Sequence, residues 1–172
     1  KAYEGILPAG VVNVLTGEGS TTGELLIQHP DVDLIAFTGS THVGRHIAST
    51  AGQHLKKVNL ELGSVDPFVV FSDADLDIAV AGAAWARLLN AGQVCTSSKR
   101  IYVVKNLAEE FTKRIHAHVK TLTVGDPMHP ETDLGPLISA EAVERVEHQV
   151  KQSIEQGAKL LHGGRRIQPS GL

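Results

Sequence analysis

Two side chains and two glycine-bearing turns carry most of the chemical potential of this sequence. Cys95 is its single cysteine and stands in a polar stretch, Asn90-Ala91-Gly92-Gln93-Val94 before it and Thr96-Ser97-Ser98-Lys99 after it. A thiolate adds readily to carbonyl carbon and leaves it readily, so a loop cysteine is a candidate for covalent catalysis. The competing reading is a small buried hydrophobe, the commoner role of a lone cysteine. Glu61 closes the apolar run Lys57-Val58-Asn59-Leu60-Glu61-Leu62. Strand alternation puts Val58, Leu60 and Leu62 on one face and Asn59 and Glu61 on the other. A carboxylate among apolar neighbours is held protonated to higher pH and suits a general base; a solvent-facing or ion-paired glutamate is the alternative.

Phe37-Thr38-Gly39-Ser40-Thr41-His42-Val43-Gly44 leaves a strand through a glycine and opens a helix on hydroxyl residues. Unpaired N–H groups at such a helix start, with the Ser40 hydroxyl, can receive a phosphate, although ordinary strand-to-helix turns use the same glycines for geometry alone. Gly19 and Gly23 bound a second turn of this kind, and two of them at one end of a parallel sheet strengthen the phosphate reading. The spaced pairs His42/His46 and His116/His118 have no third ligand at metal spacing, so no metal site is expected.

These residues need a scaffold. Val11–Leu15 reads as a strand, Gly19–Gly23 as a flexible turn and Glu24–Gln28 as a helix ended by His29-Pro30; Val32–Thr38 is a second strand. Ser40 or Thr41 caps a helix to about Ala51 that Gly52 stops, and Lys57–Leu62 is the third strand. Pro67–Phe71 is continuously apolar, as a strand buried on both faces would be. Ser72 then begins an alanine-rich helix to Leu89, thin enough to approach a sheet closely. Ile101–Val104 is a strand, Leu107–Leu122 an amphipathic helix, Gly125–Pro136 a turn-rich loop, and Ser139 caps a last helix ending at Gly157. Strand and helix alternate throughout, which implies an α/β fold of parallel strands with crossover helices.

Composition narrows the partners. With 172 residues, 16 Lys+Arg against 19 Asp+Glu and a net charge of -3, the chain has no basic field for nucleic acid or acidic lipid. Its 4 Phe, 2 Tyr and 1 Trp are too few for a base-stacking platform. Small metabolites are the expected partners, with no nucleic acid and no membrane. One cysteine excludes an intrachain disulfide, and without an apolar span or leader the reducing cytoplasm is the expected location. A start at Lys1 and an end on Gln168-Pro169-Ser170-Gly171-Leu172 read as cut ends.

Together the motifs resemble the aldehyde dehydrogenase superfamily. Phe37–Gly44, Leu60-Glu61-Leu62-Gly63, Asn90–Cys95 and Gly125-Asp126-Pro127 with Gly135-Pro136-Leu137-Ile138-Ser139 stand in that family's order and spacing, Cys95 coming 34 positions after Glu61. The resemblance covers nearly the whole chain. It implies a Rossmann-like cofactor-binding portion over residues 1–63 and the start of an α/β catalytic portion over 64–172, with NAD or NADP as cofactor and a small aldehyde as substrate. By the same resemblance Cys95 is the nucleophile, its backbone N–H half of an oxyanion hole, and Glu61 activates the water that releases the acid. Gly39 and Ser40 would touch the pyrophosphate, Gly19, Gly23 and Val43 the adenosine, and Leu62 and Gly63 would lie beside the cofactor.

Three departures stand out. The usual Glu-Leu-Gly-Gly-Lys is here Glu61-Leu62-Gly63-Ser64-Val65, which would strain Ser64 if that position needs positive φ. His42 replaces a frequent acidic residue and would alter the surroundings of the adenosine phosphates. The resemblance also places further cofactor contacts and the oxyanion asparagine before Lys1, and a second ribose-binding glutamate and the oligomerising strand after Leu172. On that ground the parent would be a homo-oligomer, and the isolated chain a fragment with negligible turnover that keeps only nucleotide-binding or structural contacts. A coenzyme A-acylating relative is the other enzymatic alternative, disfavoured by the presence of Glu61.

Overall fold

The structure, a computed structural model, describes residues 5–167, so Lys1 and the turn-rich Gln168-Pro169-Ser170-Gly171-Leu172 lie outside the described residues. The chain divides into two compact units, Lys1–Gly63 and Ser64–Leu172.

In the first unit, β1 (Leu34–Thr38) and β2 (Lys57–Glu61) pair in parallel, Leu34 opposite Lys57 and Thr38 opposite Glu61. Their crossover is α2 (Thr41–Gln53), whose first turn is capped by Ser40: Val43 N–H donates to Ser40 Oγ at 3.3 Å. A π-helical turn, Gly19–Gly23, runs straight into the short α1 (Glu24–Gln28). Ile27, Ile35, Ile47 and Ala51 are buried together, with Val32, Phe37 and Leu60 packed against them. Gly44 sits where α2 meets the chain leaving β2, and a Cβ there would lie 2.4 Å from Leu62 Cδ2.

Three expectations change in this unit. Val11–Leu15 forms no strand, and Val14 is 83% exposed; β propensity yields a strand only where another strand completes the ladder, and β1 pairs with β2 alone among the described residues. Gly19–Gly23 is helical instead of a flexible turn. Gly52 does not stop α2, which ends one residue later in a Schellman arrangement. Lys56 N–H donates to Ala51 O and Leu55 N–H to Gly52 O, and the left-handed position falls to Leu55, φ 54°. Leu55, 94% exposed, bears the Cβ–carbonyl crowding of that conformation, about 1–2 kcal/mol.

In the second unit, β3 (Pro67–Val70) and β4 (Arg100–Val103) are also parallel, Pro67 opposite Arg100 and Val70 opposite Val103. The crossover contains α3 (Leu76–Leu88), a one-turn 3₁₀ segment (Leu89–Gly92) and the Cys95 loop. Further on come α4 (Ala108–Val119) and α5 (Ala140–Glu155). Val70, Val80, Ala83 and Phe111 form the core between β3, α3 and α4. The buried Phe111 contributes about 1.5–3 kcal/mol through its apolar surface. Ala83 is wholly buried, and α3 makes its close approach to α4 rather than to the strands, where the sequence had placed it. Ser139 caps α5 as expected, its Oγ accepting from Ala142 N–H at 3.2 Å.

Helix α3 begins at Leu76 and not at Ser72, because Asp75 takes the cap: its Oδ1 accepts from Asp77 N–H at 2.9 Å and Ile78 N–H at 3.2 Å. Strand β3 is buried on one face only. Val70 is enclosed, whereas Val69 is 50% and Phe71 64% exposed. A fully apolar run records that both faces can be covered, and in this unit helices cover one.

Candidate active site

At the carboxyl ends of β1 and β2 the two predicted motifs meet. Thr38 and Glu61 are register partners, and Gly39 N–H donates to Glu61 O at 3.0 Å. Gly39 and Ser40 on one strand end thus lie beside Glu61, Leu62 and Gly63 on the other, at the end of a parallel sheet where α/β proteins bind ligands. The Glu61 side chain is exposed, so the apolar enclosure expected from strand alternation is not formed within this unit.

A cleft of about 770 Å³ opens between the π-turn, β1 and the first turns of α2. Gly19, Gly23 and Val43 line it, together with an apolar wall that includes Ile35, Phe37 and Ile47 and a polar edge of Glu24, His42 and His46. Gly19 and Gly23 leave open space where a Cβ would stand. Sequence reasoning singled out Gly19, Gly23 and Val43 but missed the pair at the edge. His46 Nε2 lies 2.7 Å from Glu24 Oε2 and ties α2 to α1. An i, i+4 histidine pair gave no hint that one member would meet a glutamate 22 positions upstream.

The His46 hydrogen bond, followed by one from Gln28, holds the Glu24 carboxyl below its ordinary value of 4.5. A carboxylate depressed in the folded state adds stability that is complete above the unfolded pKa and lost as pH falls through the folded one. The urea midpoint of the parent should therefore exceed that of Glu24→Gln at about pH 5.5, with the gap closing towards about pH 3. A gap independent of pH over that range contradicts the pair's role.

In the second unit Cys95 is exposed, in the loop between the 3₁₀ turn and β4, and is no part of the buried cluster of that unit. Three successive left-handed residues, Asn90 (φ 50°), Ala91 (φ 55°) and Gly92 (φ 77°), turn the chain into this loop. Two of them are not glycine, a strained backbone of the kind held at functional loops at a cost of about 1–3 kcal/mol each. The loop is braced on several sides. Arg87 Nη1 donates to Gly92 O and to Ser97 Oγ, both at 3.3 Å, and Ser98 N–H donates to Ala86 O at 3.2 Å. Gln93 Oε1 accepts from Ile138 N–H at 2.8 Å, joining the loop to the segment that leads into α5.

Ser64 escapes the strain its neighbours suggested, since positive φ among the described non-glycine residues is confined to Leu55, Asn90 and Ala91. Its hydroxyl instead donates to Cys95 O at 3.2 Å, and Lys99 Nζ donates to the same oxygen at 2.8 Å. Neither contact was legible in the sequence, because both depend on how the loop folds back.

Parallel strands joined by helical crossovers, in each of two units, make this an α/β protein with a ligand-sized cleft and an accessible thiol. The sequence profile described as the aldehyde dehydrogenase family matches residues 2–172. A 3,6-anhydro-alpha-L-galactose dehydrogenase of Vibrio sp. (strain EJY3) is 41% identical over 161 residues, which are 94% of this chain and 34% of that protein. Among solved structures, an E. coli NADP dependent enzyme gives a TM-score of 0.91 at 39% identity over 96% of this chain and 34% of that one. A betaine aldehyde dehydrogenase from Staphylococcus aureus, in complex with NAD+, gives 0.86 at 34% identity over 88% and 30%. The chain belongs to the aldehyde dehydrogenase family, and it spans about a third of the length of the relatives it matches. Among the described residues no helix is long and apolar enough to cross a membrane.

Proposed function

We propose that the complete polypeptide carrying this sequence oxidises a small aldehyde to the carboxylic acid with NAD or NADP, using Cys95 as nucleophile and Glu61 as general base. On this reading residues 1–63 are the end of the cofactor-binding domain and residues 64–172 the start of the catalytic one. The observation that carries the proposal is the accessible thiol of Cys95 on a strained, many-bonded loop, in a chain of this family. A free exposed cysteine suits a reducing, cytosolic compartment, and by the family's pattern the whole protein assembles as a homo-oligomer.

The cofactor fits what the first unit offers. Dinucleotide sites need an apolar slot without side chains in the way, and the cleft has that at Gly19 and Gly23 beside Val43. Its volume lies in the range of small-molecule sites, roughly 300–1,000 Å³. Gly39 and Ser40, at the start of the 13-residue α2, would face the pyrophosphate with the partial positive end of the helix. Leu62 and Gly63 would flank the cofactor from the end of β2. A bound nicotinamide supplies the hydride acceptor.

The chain's own groups supply the rest. Cys95 Sγ attacks the aldehyde carbon, forming a C–S bond, and the Cys95 N–H donates to the oxygen that becomes negative. Loss of hydride from that carbon turns the thiohemiacetal into a thioester. Glu61 then removes a proton from water as its oxygen attacks the thioester carbon, and the C–S bond breaks to return the thiolate and release the acid. A bent, braced loop is useful here because the sulfur and the N–H must keep their directions through both steps.

Product analysis tests this reading. With an aldehyde, NAD(P) and coenzyme A all present, the complete polypeptide should yield free acid in step with reduced nicotinamide. Predominant acyl-coenzyme A would place it in the acylating branch and remove Glu61 from its role.

A further inference from the structure

Beyond the nucleophile itself, we infer that Lys99 and Ser64 are positioning residues that fix the two peptide planes flanking Cys95. The inference deepens the reading of Cys95 as nucleophile and rests on it. The Lys99 ammonium donates to Cys95 O at 2.8 Å, to Ser97 O at 2.9 Å and to Val94 O at 3.4 Å, which uses all three of its donors on one loop. Ser64 Oγ adds a second donor to Cys95 O at 3.2 Å. The Lys99 backbone is itself anchored, its N–H donating to Asp66 O at 3.1 Å at the entry to the β3–β4 ladder. The ammonium is therefore tied to the sheet and the loop is tied to the ammonium.

These contacts do more than close a loop. Val94 C=O belongs to the peptide unit whose N–H is that of Cys95, and Cys95 C=O to the next unit. Holding both oxygens pins the backbone torsions on either side of the Cys95 Cα, and with them the direction of the N–H and of the Cα–Cβ bond from which Sγ projects. Val94 O also accepts from Ser97 N–H at 3.2 Å, so it takes two donors, and donation to a carbonyl makes the N–H of the same peptide a stronger donor. That N–H is the group the proposed mechanism sets against the developing oxyanion. An exposed loop has water for its carbonyls; committing a strongly hydrated, flexible ammonium to them costs more than leaving them to solvent. Fixed geometry at Cys95 is what the arrangement supplies in return.

The test compares Lys99→Met, Lys99→Arg, Ser64→Gly and Cys95→Ala in the complete polypeptide. Lys99→Met should lower kcat about tenfold or more with KM within about twofold, because alignment at the reacting centre is lost while binding is kept. Lys99→Arg, which keeps the charge but presents its donors in a planar fork, should recover kcat only in part, to a value between those of Lys99→Met and the parent. Ser64→Gly, which removes a single donor, should cost about two- to threefold. Amide hydrogen exchange over residues 93–99 should quicken in Lys99→Met and return towards the parent in Lys99→Arg. An unchanged kcat in Lys99→Met, an arginine variant no better than methionine, or unchanged exchange would each overturn the inference. Cys95→Ala reports separately on the nucleophile: if it keeps turnover, the reading of Cys95 fails, while the exchange data still decide whether Lys99 holds the loop.

Discussion

Replacing Cys95 by alanine in the complete polypeptide lowers kcat by about four orders of magnitude or more, the loss expected when a covalent nucleophile is removed. Cys95→Ser should do nearly as badly, because a hydroxyl is a poor nucleophile without a dedicated base and its alkoxide is a poorer leaving group than a thiolate. Neither change should unfold the protein. Cys95 is exposed, its thiol is no part of either buried cluster, and the hydrogen bonds of its loop run through backbone atoms and through Arg87, Gln93 and Lys99. Steady-state formation of reduced nicotinamide, with the thermal midpoint measured alongside, separates the two outcomes. Activity within about tenfold of the parent in Cys95→Ala would mean that the chemistry lies elsewhere.

Glu61→Gln should fail later in the cycle. Acylation needs the sulfur and the oxyanion donors, so one equivalent of reduced nicotinamide should still form rapidly. Hydrolysis needs the base, and its loss should reduce the steady state by about a hundredfold to ten-thousandfold. Rapid mixing therefore shows a burst of about one per active site followed by near silence. A slow first turnover without a burst would place Glu61 before the thioester. The substitution is nearly isosteric at an exposed strand end whose backbone oxygen is held by Gly39 N–H, so β2 and its register should survive it.

Much of this arrangement could be read from residue order. Ser40 and Ser139 cap the helices that hydroxyl residues before a periodic run should cap, and both parallel pairs form where apolar runs alternate with helices. The position of Cys95 outside any strand or helix followed from its polar, glycine-preceded surroundings. What could not be read depends on partners distant in sequence. Val11–Leu15 has the composition of a strand but finds no neighbouring strand among the described residues, and Glu61 has apolar sequence neighbours yet is exposed. Ser72 was read as the start of α3, whereas the folded chain caps that helix three residues later, at Asp75. Ser64 illustrates the point most clearly: as a residue replacing glycine it suggested strain, whereas its hydroxyl is spent on the Cys95 carbonyl 31 residues away.

The measurement that bears most directly on the mechanism is the mass of the Cys95 peptide after the Glu61→Gln enzyme has been mixed with an aldehyde and NAD(P) and quenched in acid. The predicted result is the mass of the acyl group on Cys95, appearing with the burst of reduced nicotinamide. Reduced nicotinamide formed while Cys95 stays unmodified, or an acyl group found on another residue, would contradict covalent catalysis by Cys95.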